Sequence, residues 1–254
     1  MAETIIPPLP NETKEQIKRI VYYHYGFEPR DEDIEIIDMG LRNNYLSFHD
    51  QQIIRELAAA NASRELLAHK DRLGIEFDRI WLEKSIFRYL TFANMCFKAG
   101  IKIGTISLCR TAIESGLRER LAEKLAKKDI KNYSDLPEAT WIKLEELGNI
   151  SLGKLIEEVD KEGIIKQQVI ENLFHELKFK DQRGRRILDK FIHGDIVWMV
   201  DYVRDKEGDT RVIGARDELQ RKKIVSDMMT DKIAFKVLKA TYKIAEIIYY
   251  NSGA

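Results

Sequence analysis

The stretch IKIGTISLCRTAIESGLRERLAEKLAKK, Ile101–Lys128, is the best-patterned helix in the chain, and its reading decides the fold class. Small residues Gly104, Ser107, Thr111 and Ser115 recur at intervals of three and four, so a second helix is expected to approach closely on that side. Arg110 and Glu114 are four apart and pair on one helix face. A tightly packed core helix with one salt bridge satisfies these features without an active site. Around it, only 14 glycines and 5 prolines punctuate 254 residues, and 33% of the side chains are charged. That composition, rich in Leu, Ile, Lys and Glu, describes an all-α protein. Apolar residues at 44% suffice for a core.

Toward the N-terminus, a long amphipathic segment runs from Ile75 through Phe77, Ile80, Trp81, Ile86, Leu90, Phe92 and Phe97 to Gly100. Before it, Ser47 is placed to cap a helix reaching about Leu73, with Ile53, Leu57, Leu66 and Leu67 apolar. Asp31 is the expected N-cap of a helix after Pro29. An earlier helix starts near Asn11 or Thr13, where Thr13 and Gln16 fit a capping box, and it turns Ile17, Ile20 and Val21 inward. Pro7, Pro8 and Pro10 argue against helix in the first ten residues. Two units follow: an N-terminal helical extension over 1–74 and a helical bundle over 75–252.

Toward the C-terminus, Ser134 is the expected cap of a short helix through Trp141 that Gly148 ends. A second short helix starts at Ser151 and stops near Gly163. Ile164–Lys180 reads as another helix with Val169, Leu173 and Leu177 inward. Its His175 has no second histidine at metalloprotease spacing, so it reads as structural. Near 196–214 the period changes. Ile196–Val203 and Thr210–Ile213 are rich in β-branched and aromatic residues and flank a charged turn with Gly208, which predicts a small β-hairpin insertion. Asp205, Glu207 and Asp209 lack the twelve-residue calcium-loop pattern. A last amphipathic helix ends at Tyr250, with Ile233, Val237, Tyr242, Ile244, Ile247 and Ile248 apolar.

Charge excludes a whole-molecule attraction to nucleic acid, because 42 basic residues balance 42 acidic ones. Any polyanion site must be local. Cys96 and Cys109 show no metal-ligand spacing and are expected to be free thiols in a reducing cytoplasm. The first ten residues lack the basic start and apolar core of a signal peptide. No stretch approaches the apolar run of about 18 residues that spans a bilayer. A cytoplasmic protein with no membrane partner, no metal and no cofactor is the expectation.

The local site is RGRRILDKFIHGD, Arg183–Asp195. As a helix, it stacks Ile187, Leu188, Phe191 and Ile192 into one buried stripe. Arg186 and His193, seven apart, then fall within about 20° of one azimuth, with Asp189 between them and in reach of both. Gly194 suits the left-handed C′ position that ends a helix. A permanent cation, a carboxylate and an imidazole on one face are groups suited to a phosphodiester. Lys178, Lys180, Arg183, Arg185 and Lys190 form a basic strip able to hold an RNA backbone. The same residues also describe a solvated turn and a favourable helix cap.

Three stretches resemble the HEPN superfamily, in the branch associated with bacterial restriction and defence systems. They are Ala99-Gly100 leading into Cys109–Arg118, then Leu152–Ile156, then Arg186 to His193-Gly194 followed by a terminal amphipathic helix. The resemblance covers about residues 80–250 and implies a HEPN-like bundle of four to five helices that pairs with a second copy. It also implies a metal-independent endoribonuclease with an Arg–x(4–6)–His motif, acting in phage defence or as a toxin. Arg186, Asp189 and His193 are the implied catalytic residues, with Arg110 and Glu114 supporting. In related domains the arginine stands one place earlier, at Arg185 here, so the motif arginine is either Arg185 or Arg186. Other members have lost catalysis and bind nucleotide, RNA or a partner protein. A defence-system or antitoxin partner fits either role.

Overall fold

The computed structural model describes residues 11–36, 48–173, 202–204, 210–212 and 231–250. Helix α1 (Asn11–Tyr25) buries Ile17, Val21 and Tyr25 at helical spacing. Helix α2 (Asp31–Ile36) is held at its start by Asp33 rather than by the expected Asp31. The Asp33 carboxylate reaches back to accept the Arg30 N–H at 3.0 Å, the carboxylate half of a capping box. Helix α3 (Phe48–Leu73) ends where the sequence predicts, before Gly74; its expected cap, Ser47, lies outside the described residues.

The amphipathic segment over 75–100 is two helices, α4 (Ile75–Glu83) and α5 (Ser85–Lys98), broken at Lys84 with φ −88° and ψ 130°. The physical reason lies far along the chain. Both carboxylate oxygens of Glu119 accept the Ser85 N–H at 3.3 Å, satisfying one of the donors that a helix start leaves bare. Lys84 itself pairs with Glu123. Apolar periodicity is blind to acceptors 34 residues away.

Helix α6 (Lys102–Asp129) is the predicted long helix. It folds back on α5 through a turn in which Gly100 adopts φ 76°. There the Ile101 N–H donates to the Cys96 carbonyl at 2.8 Å and the Gly100 N–H to that of Phe97 at 2.9 Å, a Schellman closure. Helix α7 (Leu136–Glu146) has Asp135 at its N-cap position, one residue after the expected Ser134, with proline in its first turn. Helix α8 (Leu152–Lys161) is capped by Ser151, whose hydroxyl accepts the Lys154 N–H. Helix α9 (Gln167–Leu173) buries Ile170, whereas Val169, expected inward, is 37% exposed. Strands β1 (Tyr202–Arg204) and β2 (Thr210–Val212) pair antiparallel, Tyr202 opposite Val212. The rest of the predicted hairpin lies outside the described residues. Helix α10 (Asp231–Tyr249) completes an all-α body. Among the described residues no helix is long and apolar enough to cross a membrane.

Helix α10 packs against α3, α5, α6 and α1. One apolar cluster therefore joins Val21 of α1, Ile54 and Leu66 of α3, Phe87 and Phe97 of α5, Ile113 of α6 and Phe235 of α10. The helices approach closely at Gly116. A Cβ there would stand 2.7 Å from Ile86 Cδ1 and 3.3 Å from Ile248 Cδ1, so α5 and α10 close on α6 at a residue without a side chain. The small-residue face predicted for this helix is displaced from that approach. Gly104 does meet Cys96, but Ser107, Thr111 and Ser115 are half-buried. Both cysteines are free, Cys96 half-buried and Cys109 fully buried, and burial pushes the Cys109 thiol up to about 12.

Asp231 of α10 is anchored by charge. Arg55 of α3 donates from Nε and Nη2 to the two Asp231 oxygens at 3.2 and 3.3 Å, and both side chains are nearly buried. The same guanidinium lies against Gly100, where a Cβ would be 3.1 Å from Cζ. The pair thus ties α3, the α5–α6 turn and α10 together. Removing one partner of such a pair strands the other charge. Asp231→Ala is expected to lower stability by about 3 kcal/mol in urea unfolding, with the denaturant slope unchanged.

Glu123 supplies a pH dependence. Burial works against its charged form, but Lys84 and Arg120 outweigh that and hold its carboxyl below the ordinary glutamate value. A depressed native value contributes stability above the ordinary glutamate range, and that contribution is lost as pH falls through it. In Glu123→Gln, the fall in urea midpoint on acidification below that range should be shallower than in the parent protein.

Candidate functional site

Arg186, Asp189 and His193, with Lys178, Lys180, Arg183, Arg185 and Lys190, lie outside the described residues. The supporting pair on α6 lies within them. Arg110 is 4% exposed, and its Nε stands 3.8 Å from Glu114 Oε2. Glu114 also accepts from Arg118 Nη2 at 3.0 Å. Arg118 in turn donates through Nε to the Leu147 carbonyl at 3.1 Å and through Nη2 to that of Ile150 at 3.4 Å. The predicted single bridge is an Arg–Glu–Arg array that fastens α6 to the turn between α7 and α8. Arg118 thus reaches the C-cap carbonyl of α7 at Leu147 and the loop carbonyl of Ile150 before α8.

A second arrangement was not predicted. Between α3, α9 and α10 opens a cleft of about 370 Å³, inside the range of small-ligand sites. Leu66, Leu173 and Ala240 give it apolar walls, and Lys236, Lys239 and Lys243 project along one side. With Lys232 these form a row at steps of four, three and four residues, a single stripe of the helix. Lys239 is the one exposed residue of α10. Lys243 sits between Glu246 at 2.8 Å and Glu65 at 3.3 Å, and Glu246 above all holds its ammonium protonated beyond the ordinary lysine range. At the other end, the Lys232 ammonium lies 5.2 Å from the centre of the Tyr22 ring, a cation–π interaction.

Glu246 continues the cleft inward to a buried histidine. His69 Nε2 and Glu246 Oε1 are 3.1 Å apart, and Arg72 Nη2 meets the other ring nitrogen, Nδ1. A guanidinium can only donate, so Nδ1 is the acceptor and Nε2 carries the hydrogen that Glu246 receives. The ring is thus held between the Arg72 guanidinium and the Glu246 carboxylate. It stacks on Tyr250, which stacks on Phe77, with centroids 5.5 and 5.0 Å apart. This orientation suits a group that holds a carboxylate in place. Among the described residues no cluster of three His, Cys, Asp or Glu side chains is arranged to hold a metal.

The sequence contained the signal for the lysine row, at i, i+4, i+7 and i+11 of the last helix, beside the stronger apolar period of the same segment. His69 and Glu246, 177 positions apart, carry no local signal.

No family model, no curated protein and no solved structure matches the chain.

Glu246 joins the cleft to the core, so its loss should be felt in both. Glu246→Ala leaves the His69 N–H short of its acceptor and Lys243 short of its nearer carboxylate. The expected cost is about 2 kcal/mol, read as a fall in Tm of roughly 4–8 °C by calorimetry.

Proposed function

We propose that the protein is a HEPN-like, metal-independent endoribonuclease acting on single-stranded RNA as a homodimer. The observation that carries this reading is the spacing of Arg186, Asp189 and His193 ahead of Gly194. A helix over this stretch would set Arg186 and His193 within about 20° of one azimuth, with the Asp189 carboxylate in reach of both. Support comes from the helical body, in which α5 and α6 form an antiparallel hairpin and the terminal helix packs on both.

Dimerisation follows from distance. Arg186 and His193 are about 10 Å apart along a helix, too far for one scissile phosphate to touch both from a single copy. A two-fold axis beside the stretch brings a second set of the same residues to the phosphate. One His193 imidazole then takes the proton of the ribose 2′-hydroxyl as its oxygen attacks phosphorus. The bond from phosphorus to the 5′-oxygen breaks, and the imidazolium of the second copy protonates that leaving oxygen. Arg186 stabilises the charge that grows on the phosphoryl oxygens, and Asp189 orients the imidazole. Lys178, Lys180, Arg183, Arg185 and Lys190 hold the flanking phosphates. The products are a 2′,3′-cyclic phosphate and a free 5′-hydroxyl. DNA has no 2′-hydroxyl and is not cut by this route.

A second reading, a HEPN-like module that binds nucleotide, RNA or a partner protein without cleaving, is favoured by the acidic-basic pair Asp189-Lys190 inside the motif and by the 42-to-42 charge balance. Incubation with labelled single-stranded RNA in EDTA separates the two. Cleavage by the parent protein, reduced about 10²- to 10⁴-fold in both His193→Ala and Arg186→Ala, is the expected result. Binding without cleavage leaves the second reading, and cleavage undiminished in both variants overturns the assignment of these residues.

A further inference from the structure

Lys239 is the one exposed residue of helix α10, on the strip that also carries Lys232, Lys236 and Lys243. We propose that the cleft beside it is a track for a single strand of RNA, with phosphates along Lys232, Lys236 and Lys239. This rests on the RNA-directed reading above and adds a binding surface separate from the Arg186–His193 stretch. Four features point to it. The row from Lys232 to Lys243 spans eleven residues, about 16 Å of helix, so it is an extended track rather than a point site. Lys239 is exposed, and Lys236 and Lys239 line an open cleft. Among the described residues, the carboxylates at the cleft, Glu65 and Glu246, stand at Lys243, away from the Lys232 end. There the Tyr22 ring, 58% exposed and already beneath the Lys232 ammonium, offers an aromatic edge where a base can pack.

A cationic groove with an aromatic platform is the general solution for holding single strands without reading their sequence. The lysine stems keep the ammonium groups mobile, which suits a flexible backbone better than a fixed guanidinium fork. Lys232 is the best-seated member. Its stem lies against Gly26, where a Cβ would stand 2.9 Å from Cγ. A duplex would gain nothing from Tyr22, because its bases are already stacked.

The test uses the full chain carrying His193→Ala, so that bound RNA is not cut, and a fluorescein-labelled uridine dodecamer followed by anisotropy at about 50 to 200 mM KCl. Binding should weaken roughly tenfold or more when Lys236→Glu and Lys239→Glu are added. The slope of log affinity against log salt should fall by about 0.7 for each phosphate that is no longer neutralised. Lys236→Arg with Lys239→Arg should retain affinity. Lys239→Gln, at the exposed position, repeats the test with little disturbance to packing and should lower the slope by about 0.7. Unchanged affinity and slope in the charge-reversed protein, or no binding by its parent at the lowest salt, overturns the proposal. Lysine-dependent binding without any cleavage by the unmutated chain would defeat the nuclease reading alone. His193-dependent cleavage with binding indifferent to these lysines would defeat the track alone.

Discussion

The rest of the structure depends on the burial of one helix. Helix α10 places Ala234, Val237, Leu238, Thr241, Ile244, Ala245 and Ile248 out of solvent against α1, α3, α5 and α6. A helix covered on so many sides demands that its neighbours come close, and they do so where side chains are smallest. Gly116 lets α5 and α10 meet over α6, and Gly100 lets the Arg55 guanidinium lie against the α5–α6 turn. The Arg55–Asp231 pair then pins the Asp231 end of the described helix to α3. Apolar burial supplies the driving force and is indifferent to register, so the ion pair and the glycine approaches select one arrangement among several that would bury similar area.

The same constraint explains where chemistry is available. Lys239 is the one exposed residue of α10, and the cleft beside it is walled by α3 and α9. Glu246 belongs to both environments. It holds Lys243 at the cleft and receives the His69 hydrogen in the core, so the electrostatics of the open side are tied to the packing of the closed one. Charged groups are costly inside a protein unless each finds a partner, and here the partners are spread over α3 and α10. The polar side chains on α6 show the same economy. Glu119 caps α5 and also accepts the Tyr249 hydroxyl, and Arg118 serves Glu114 and two carbonyls at once.

Chain periodicity and end signals determined a good deal by themselves. The all-α class, the extent of α6, the stop of α3 before Gly74 and the Ser151 cap of α8 were legible, because each depends on residues within a few positions of one another. The break at Lys84 was not. It arises from Glu119 and Glu123 on another helix, and no window over 75–100 contains them. The inward side of α9 differs at Val169, because its neighbour Ile170 takes the buried position against the core and turns Val169 outward. The cap at Asp33 was misplaced by two residues because an acidic run offers several carboxylates, and only the fold decides which one reaches the Arg30 amide.

For the candidate sites the division is similar. The Arg186, Asp189 and His193 spacing is a property of the sequence alone, as is the lysine repeat from Lys232 to Lys243. What only the tertiary structure decided is that Lys236, Lys239 and Lys243 border a cleft, that Lys243 is neutralised there by Glu65 and Glu246, and that Glu246 meets His69 from 177 positions away. Local spacing specifies which side chains share a helix face. Which face meets solvent, and which meets a partner, is set by long-range packing that no short stretch of sequence contains.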